Sequence, residues 1–427
     1  MFFMYNLLIY ILFPLILPYL ILKSIKRKGS LSGTSERLGF YPDKNIGNKK
    51  VIWIHAVSVG EVIASIPLVL ELKSRYPNYS LIMSTVTETG RATAINKIPF
   101  LNAIIYFPFD FAFSVNKAID TIRPNIFIML ETEIWPNFLK ALKRKNIPAI
   151  LINGRISDRS YKRYLTVKFF IKNVLKNISC FGMQSNQDVE RIINIGAEKE
   201  KTKRTGNLKF EHEVKELTED EIKGLRRSLN IKDGDEIFLA GSTHRGEDEE
   251  IIKAYLEILK EVKNTILIIA PRHLDRLSEI EGLLQKYSLA FVRKTEIKID
   301  IKGEGRVRGV ILLDTIGELS TLYCIASIVF VGGSLVPVGG HNILEPALYK
   351  KPILFGHHMH NFREIAEEFK NRNACVEIKN TDEMSKEIIH ILKNPEIGEE
   401  LGERGFSVIL ENKGALERSV ALISRFL

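Results

Sequence analysis

Cysteine is scarce. The three thiols, Cys180, Cys324 and Cys375, lie far apart in apolar surroundings, which excludes a disulfide framework or a cysteine metal site and leaves buried free thiols suited to a reducing compartment. Low-complexity tracts and internal repeats are absent, so neither a disordered tail nor a solenoid is expected. There is no Walker loop, no nucleophilic serine elbow and no Cys-His arrangement. Zinc-finger spacing and RNA-binding signatures are missing too, and Lys and Arg are spread along the chain rather than gathered into an arm. The net charge of +10 therefore points away from nucleic acid, towards phosphorylated small molecules or anionic lipid. Three histidines fall in "GHHMHN", His357, His358 and His360. They have no acidic neighbour, and adjacent side chains of an extended loop diverge, so no metal is expected there.

What is present is an ordinary globular balance, 45% hydrophobic and 26% charged over 427 residues, long enough for roughly two to three domains. Residues 1–22 carry no charged side chain and are followed by Lys23, Lys26, Arg27 and Lys28. This run is long enough for a hydrocarbon core of roughly 30 Å, and basic residues after it fit a retained anchor with the rest of the chain in the cytoplasm. A cleaved signal peptide would have its basic residues in front and a small-residue cleavage site behind. Pro14 and Pro18 would kink a span, which keeps an interfacial helix as the alternative.

Two stretches alternate short apolar runs with helical patterns, the signature of parallel sheets with crossover helices. The first has strands expected at 51–56, 80–85, 103–108, 125–130, 148–153 and 180–184. The second has them at 236–241, 265–271, 309–314, 327–333, 352–356 and 374–378. A polar stretch at 205–221 separates them. The expected plan is an anchor at 1–28, a Rossmann-like domain at 29–208 and a second at 209–427, whose C-terminal helices return to the first. Two such doubly wound α/β domains would face a cleft with the loops at their strand C-termini.

Within "WIHAVSVGEVIAS", Glu61 stands where a nucleotide-binding turn would offer bare backbone N–H groups, and it would repel phosphate. A helix N-terminus favours an ionised carboxylate, so Glu61 is expected to be available as a base near neutral pH. Glu131 and Glu133 in "LETEIWPN" follow another strand; paired acids could divide acid and base work, or Glu133 could cap a helix beginning near Ile134. "STVTETGRATA" and the basic "GRISDRSYKRY" are open to binding or to plain capping and solvated-face readings. In the second half, "VGGSLVPVGGHNILEP" offers two glycine pairs, Asn342 and Glu345, with a helix expected from His341 or Asn342. This arrangement suits a nucleotide phosphate and ribose, or simply a capped turn. Arg272 in "APRH" and the turn Gly317-Glu318-Leu319 would converge on the same sheet edge.

Taken in order, "HAVSVGEV", "STVTETG", "FPFD", "ETEIWPN", "NGRISDRS", "GNLKF", "AGSTHRGEDE", "APRH" and "GGHNILEPA" resemble the 3-deoxy-D-manno-octulosonic acid (Kdo) transferases, over nearly the whole chain. The resemblance implies a membrane-associated GT-B glycosyltransferase that moves Kdo from CMP-Kdo to the lipid A precursor (lipid IVA) in lipopolysaccharide biosynthesis. The setting it implies is the cytoplasmic face of the inner membrane, with inversion and without a metal cofactor. It makes Glu61 the general base and places Glu131 and Lys209 in support of the transition state. Pro271, Arg272, Gly317, Glu318, Leu319, Asn342, Ile343, Leu344 and Glu345 match the family's CMP contacts. A GT-B enzyme using a UDP-sugar, or a membrane-tethered nucleotide-binding protein without chemistry, are the competing readings.

Overall fold

The computed structural model describes residues 2–11, 33–41, 49–211, 217–298 and 309–427. The chain divides into two units, Met1–Glu211 with Asn412–Leu427, and His212–Glu411.

The first unit is built on a seven-stranded sheet of β1 (Lys50–His55), β2 (Tyr79–Thr85), β3 (Ala103–Tyr106), β4 (Ile126–Leu130), β5 (Ala149–Gly154), β6 (Cys180–Met183) and β7 (Thr202–Arg204). Their spatial order is β3-β2-β1-β4-β5-β6-β7, and every pairing is parallel. Successive side chains of a strand face opposite ways, which explains why β1 and β4 are apolar throughout. On one face Val51, Trp53, Phe127 and Met129 pack with Phe138. On the other, Ile52, Ile54, Ile126 and Ile128 pack with Val62, Leu68, Val69 and Leu72 of the Val59–Arg75 helix. The same core takes in Val420, Leu422 and Ile423 of the Ala415–Ile423 helix.

The second unit repeats this plan with β8 (Glu236–Thr243), β9 (Thr265–Pro271), β10 (Phe291–Arg293), β11 (Val310–Leu312), β12 (Ile328–Val331), β13 (Ile353–Gly356) and β14 (Val376–Ile378). The order is β10-β11-β9-β8-β12-β13-β14, again wholly parallel.

In each sheet the strand order reverses beside the unit's first strand, between β1 and β4 and between β8 and β12. Loops at such a switch point diverge to opposite faces and open a crevice at the strand C-termini. Glu61 and Glu131 follow β1 and β4; His244 and the 332–345 loop follow β8 and β12.

Two expectations need correction, the domain boundary and the number of strands. The first unit runs on to Glu211, past the expected boundary at 208; the turn Leu208–Phe210 is anchored to it by Leu208, which is buried in the first core and donates its N–H to Asn153 Oδ1 at 2.9 Å. Lys209 thus belongs to the first unit. Strands β7 and β10 were not expected; both are three-residue edge strands, too short for an alternation to register. As for the anchor at 1–28, residues 2–11 are helical, and 12–28 lie outside the described residues. Among those described, no helix is long and apolar enough to cross a membrane.

Candidate functional site

Ser58 precedes the Val59–Arg75 helix, and Glu61 lies in its first turn. The Glu61 side chain folds back over the helix start: Oε2 accepts from Val57 N at 2.7 Å and Oε1 from Ser58 Oγ at 3.0 Å. Each oxygen retains acceptor capacity. Glu61 is 7% exposed. Burial, with Glu131 adding to it, lifts its carboxyl from an ordinary 4.5 to about 7, against the two hydrogen bonds. The helix N-terminus therefore does not keep it firmly ionised; desolvation wins and poises it near neutrality.

Glu131 follows β4 with φ of +54°, a left-handed conformation that costs a non-glycine residue on the order of 1 kcal/mol and commonly marks a functional turn. Its Oε1 lies 3.4 Å from Lys209 Nζ, both side chains about three-quarters buried. Lys209 sits in the short turn Leu208–Phe210. That turn is held by Asn153 Oδ1 on Leu208 N and by Asn207 Oδ1 on Lys209 N at 3.0 Å. The structure thus brings Glu61, Glu131 and Lys209 together, with Glu133 beside them. Burial, then Glu131, raises Glu133 to about 7 as well.

Glu133 does not cap the next helix. That helix begins at Pro136, and the carboxylate of Asp110, from "FPFD", accepts from Asn137 N at 2.9 Å and Phe138 N at 2.8 Å. Tyr5 of the 2–11 helix donates to the same carboxylate at 2.8 Å. The sequence alone does not reveal this role for Asp110, because an acid shortly after a strand end, partnered by a helix start elsewhere in the chain, leaves no local spacing to find. The "STVTETG" segment resolves to capping and pairing: Thr87 Oγ1 accepts from Gly90 N and Arg91 pairs with Glu36.

In the second unit, Pro271 closes β9 and is buried, while Arg272 is exposed with its N–H on Thr243 O at 3.0 Å. Gly317 turns at φ +92°; Glu318 is held by Lys294 at 2.8 Å and by Thr315, and Leu319 opens a one-turn helix. Tyr323 at the end of that turn fills the space beside Gly241, where an added Cβ would lie 2.6 Å from its hydroxyl. Burial and Glu345 raise the Tyr323 hydroxyl, so the 317–323 turn and Glu345 are neighbours.

The glycine loop is built differently from expectation. The helix after it starts only at Leu344 and ends at Leu348, too short to supply an N-terminal phosphate site. Asn342, just before the N-cap Ile343, accepts from Leu344 N and donates to Glu345 Oε1, both at 3.1 Å; Ile343 and Leu344 are buried. The N–H groups of Gly333, Ser334 and Leu335 are already taken by the carboxylate of Glu247, which also accepts from His244 N. Glu247 is wholly buried, a pseudo-phosphate supplied by the protein in "STHRGEDE". Gly339 and Gly340, at φ +117° and +73°, lie against the 358–361 loop; a Cβ on Gly340 would sit 2.2 Å from Met359 Sδ. Both pairs answer to internal packing. Among the described residues no group of His, Cys, Asp and Glu is placed to hold a metal ion.

Residues 32–212 match the family described as 3-deoxy-D-manno-octulosonic-acid transferase (kdotransferase). A 3-deoxy-D-manno-octulosonic acid transferase of Haemophilus influenzae is 36% identical over 428 aligned residues, covering 100% of this chain and 98% of that one. The chain belongs to the Kdo transferase family. Its members are glycosyltransferases, and this chain is one. A bifunctional glycosyltransferase/methyltransferase of Fusobacterium nucleatum subsp. nucleatum is 40% identical across 84% of this chain and 55% of its own length. Among solved structures, a glycosyltransferase from Rickettsia africae superposes with a TM-score of 0.54 at 14% identity, over 89% of this chain and 99% of that one. At that identity the likeness speaks for the fold alone, which is GT-B, with its two parallel α/β sheets.

Proposed function

We propose that this Kdo transferase moves Kdo from CMP-Kdo to a lipid A precursor with inversion, Glu61 serving as general base. The observation that carries the catalytic reading is a buried carboxylate poised at about 7 at the switch point of its sheet, beside a second acid and a lysine. In the step proposed, Glu61 takes the proton of the acceptor hydroxyl as its oxygen attacks the anomeric carbon. The bond from that carbon to the phosphate oxygen breaks, and CMP leaves with the electron pair. Glu131 would favour positive charge building on the sugar ring, and Lys209, 3.4 Å from Glu131, would steady the departing anion. Pro271, Arg272, the Gly317–Leu319 turn and Asn342–Glu345 are proposed to hold the nucleotide, with no metal taking part.

The test is mass spectrometry of the lipid product from CMP-Kdo and lipid A precursor. Wild type should yield a Kdo-extended lipid, and Glu61→Gln should lose about 10²–10⁴-fold in rate. Retained transfer by Glu61→Gln would sink the base assignment; transfer only from a UDP-sugar would sink the donor.

We place the protein at the inner face of a membrane. Phe3, Met4, Leu7, Leu8 and Ile11 of the 2–11 helix are exposed, and the helix is docked on its unit through Phe2 and Tyr5, which pack on Phe170. Phe169, beside that contact, is 77% exposed. Such a patch, with the basic Arg159, Lys162 and Arg163 shortly before Phe169 in the chain, suits an anionic lipid surface. Co-sedimentation with phosphatidylglycerol vesicles should be strong for wild type and several-fold weaker for Phe3→Ser/Leu7→Ser. Equal pelleting of both would show that the patch does not bind the membrane.

A further inference from the structure

Three imidazoles crowd the switch point of the second sheet. His244 leaves β8, His273 leaves β9, and His341 ends the glycine loop after β12. His244 Nε2 and His341 Nε2 are 2.8 Å apart, with ring planes within 7° of parallel. His273 stands edge-on to His244 at 5.8 Å between centroids. The pair lies over Gly333: a Cβ there would meet His341 Cδ2 at 3.1 Å and His244 Cδ2 at 3.3 Å.

A contact of that length between two ring nitrogens needs one N–H and one lone pair. The pair therefore shares a single proton; if both nitrogens carried one, the contact would open and present two donors. Among the described residues, the following charged groups act on it. Burial, then His273, Arg276 and Arg272, lower His244, against Asp248. Burial, then His244, Arg272 and His273, lower His341 to about 4. The two nearby carboxylates are committed elsewhere: Asp248 holds Arg276 and Thr243 Oγ1, and Glu247 holds the loop N–H groups. The Arg272 side chain makes no ion pair among the described residues. Basic groups thus gather at the sheet's ligand edge without an acid free to balance them.

We infer that His244 and His341, flanked by His273 and Arg272, are binding residues for the phosphate of the donor nucleotide, which parts the imidazole pair and draws one proton onto it. This rests on the nucleotide-donor reading above and adds residues to it. An anion with several acceptor oxygens can accept from both Nε2–H groups at once, and its charge favours the protonated pair. When the phosphodiester of the donor becomes the monoester of CMP, the phosphate gains a negative charge, and the extra proton is already in place to neutralise it.

Linkage fixes the sign. Binding that takes up a proton weakens as pH rises, by up to tenfold per unit, until the pair's pKa in the complex is passed. The experiment is calorimetric titration of the full chain with CMP at pH 7.5 in two buffers of different ionisation heat, repeated from about pH 7 to 9, where the phosphate of CMP is already dianionic. Wild type should take up between about half and one proton per CMP bound. His341→Gln and His244→Gln should lose that uptake and bind about 10–100-fold more weakly, with melting curves showing that they are folded. His390→Gln, an exposed histidine elsewhere in the unit, should behave as wild type. CMP binding with no buffer-dependent heat and a flat pH profile would overturn the histidine assignment while leaving the donor reading intact. Failure of wild type to bind CMP, with UDP bound instead, would overturn the donor reading and this inference together.

Discussion

Glu61 does two incompatible things well enough to be kept. Its side chain closes the start of its own helix, yet its burial makes the charged form expensive. A carboxyl raised from 4.5 to about 7 contributes stability that is fully present below its unfolded pKa and is lost as pH climbs through about 7. Glu61→Gln should therefore raise the melting temperature at pH 8, by an amount worth on the order of 1–3 kcal/mol, and do little at pH 4. The pH profile of kcat/KM should rise through about 7 on its acid limb. Glu131 is the second cause of the raised value, so Glu131→Gln should move that limb to lower pH while slowing transfer. An unmoved limb would mean that another group sets it. The identities of Glu61 and Glu131 were legible as acids at strand ends. Their poise was not, because it depends on desolvation that only the packed strands impose.

At the scale of elements, the strands announced themselves and the loops did not. Apolar runs such as "VIWIHA" and "NIFIML" are buried on both faces and read plainly, whereas β7 and β10 are too short to register. The glycine loop has an internal partner that composition does not reveal. Its N–H groups do bind an anion, as the glycines suggested, but the anion is Glu247, brought from the turn after β8 by the sheet order rather than by sequence proximity. Glutamine there can accept on one oxygen only and would aim an NH₂ group at N–H donors. Glu247→Gln should cost about 2–4 kcal/mol, read as a lower urea midpoint for the second unit. An unchanged midpoint would show that the loop finds other acceptors. The helix that a phosphate site would have needed shrank to Leu344–Leu348 because the chain turns at Gly339 and Gly340 to pack on Met359.

For the whole molecule, two parallel sheets of the same plan were readable from the repeated alternation, and the polar stretch at 205–221 marked where one gives way to the other. The first unit extends to Glu211 rather than 208, since Leu208, pinned to Asn153 far back in the chain, holds the Leu208–Phe210 turn to it. The final helix carries Val420, Leu422 and Ile423 into the first core. Removing residues 413–427 would uncover those positions, a loss of about 5 kcal/mol or more, comparable with the net stability of a domain. Such a truncation should turn the first unit protease-sensitive while the second keeps its cooperative unfolding transition; a resistant first unit would show its core closes without the helix.

That helix also sets an order of events during synthesis. Residues 412–427 are made only after all of His212–Glu411, yet they belong to the unit that began to emerge first. At ordinary elongation rates the growing chain carries an incomplete first core for on the order of ten seconds or more. During that interval the apolar flank of β5, β6 and the Val59–Arg75 helix, against which the final helix packs, is left open. The unit that carries Glu61 is thus the last to be finished, and the other unit can be folded before Glu61 has its final surroundings.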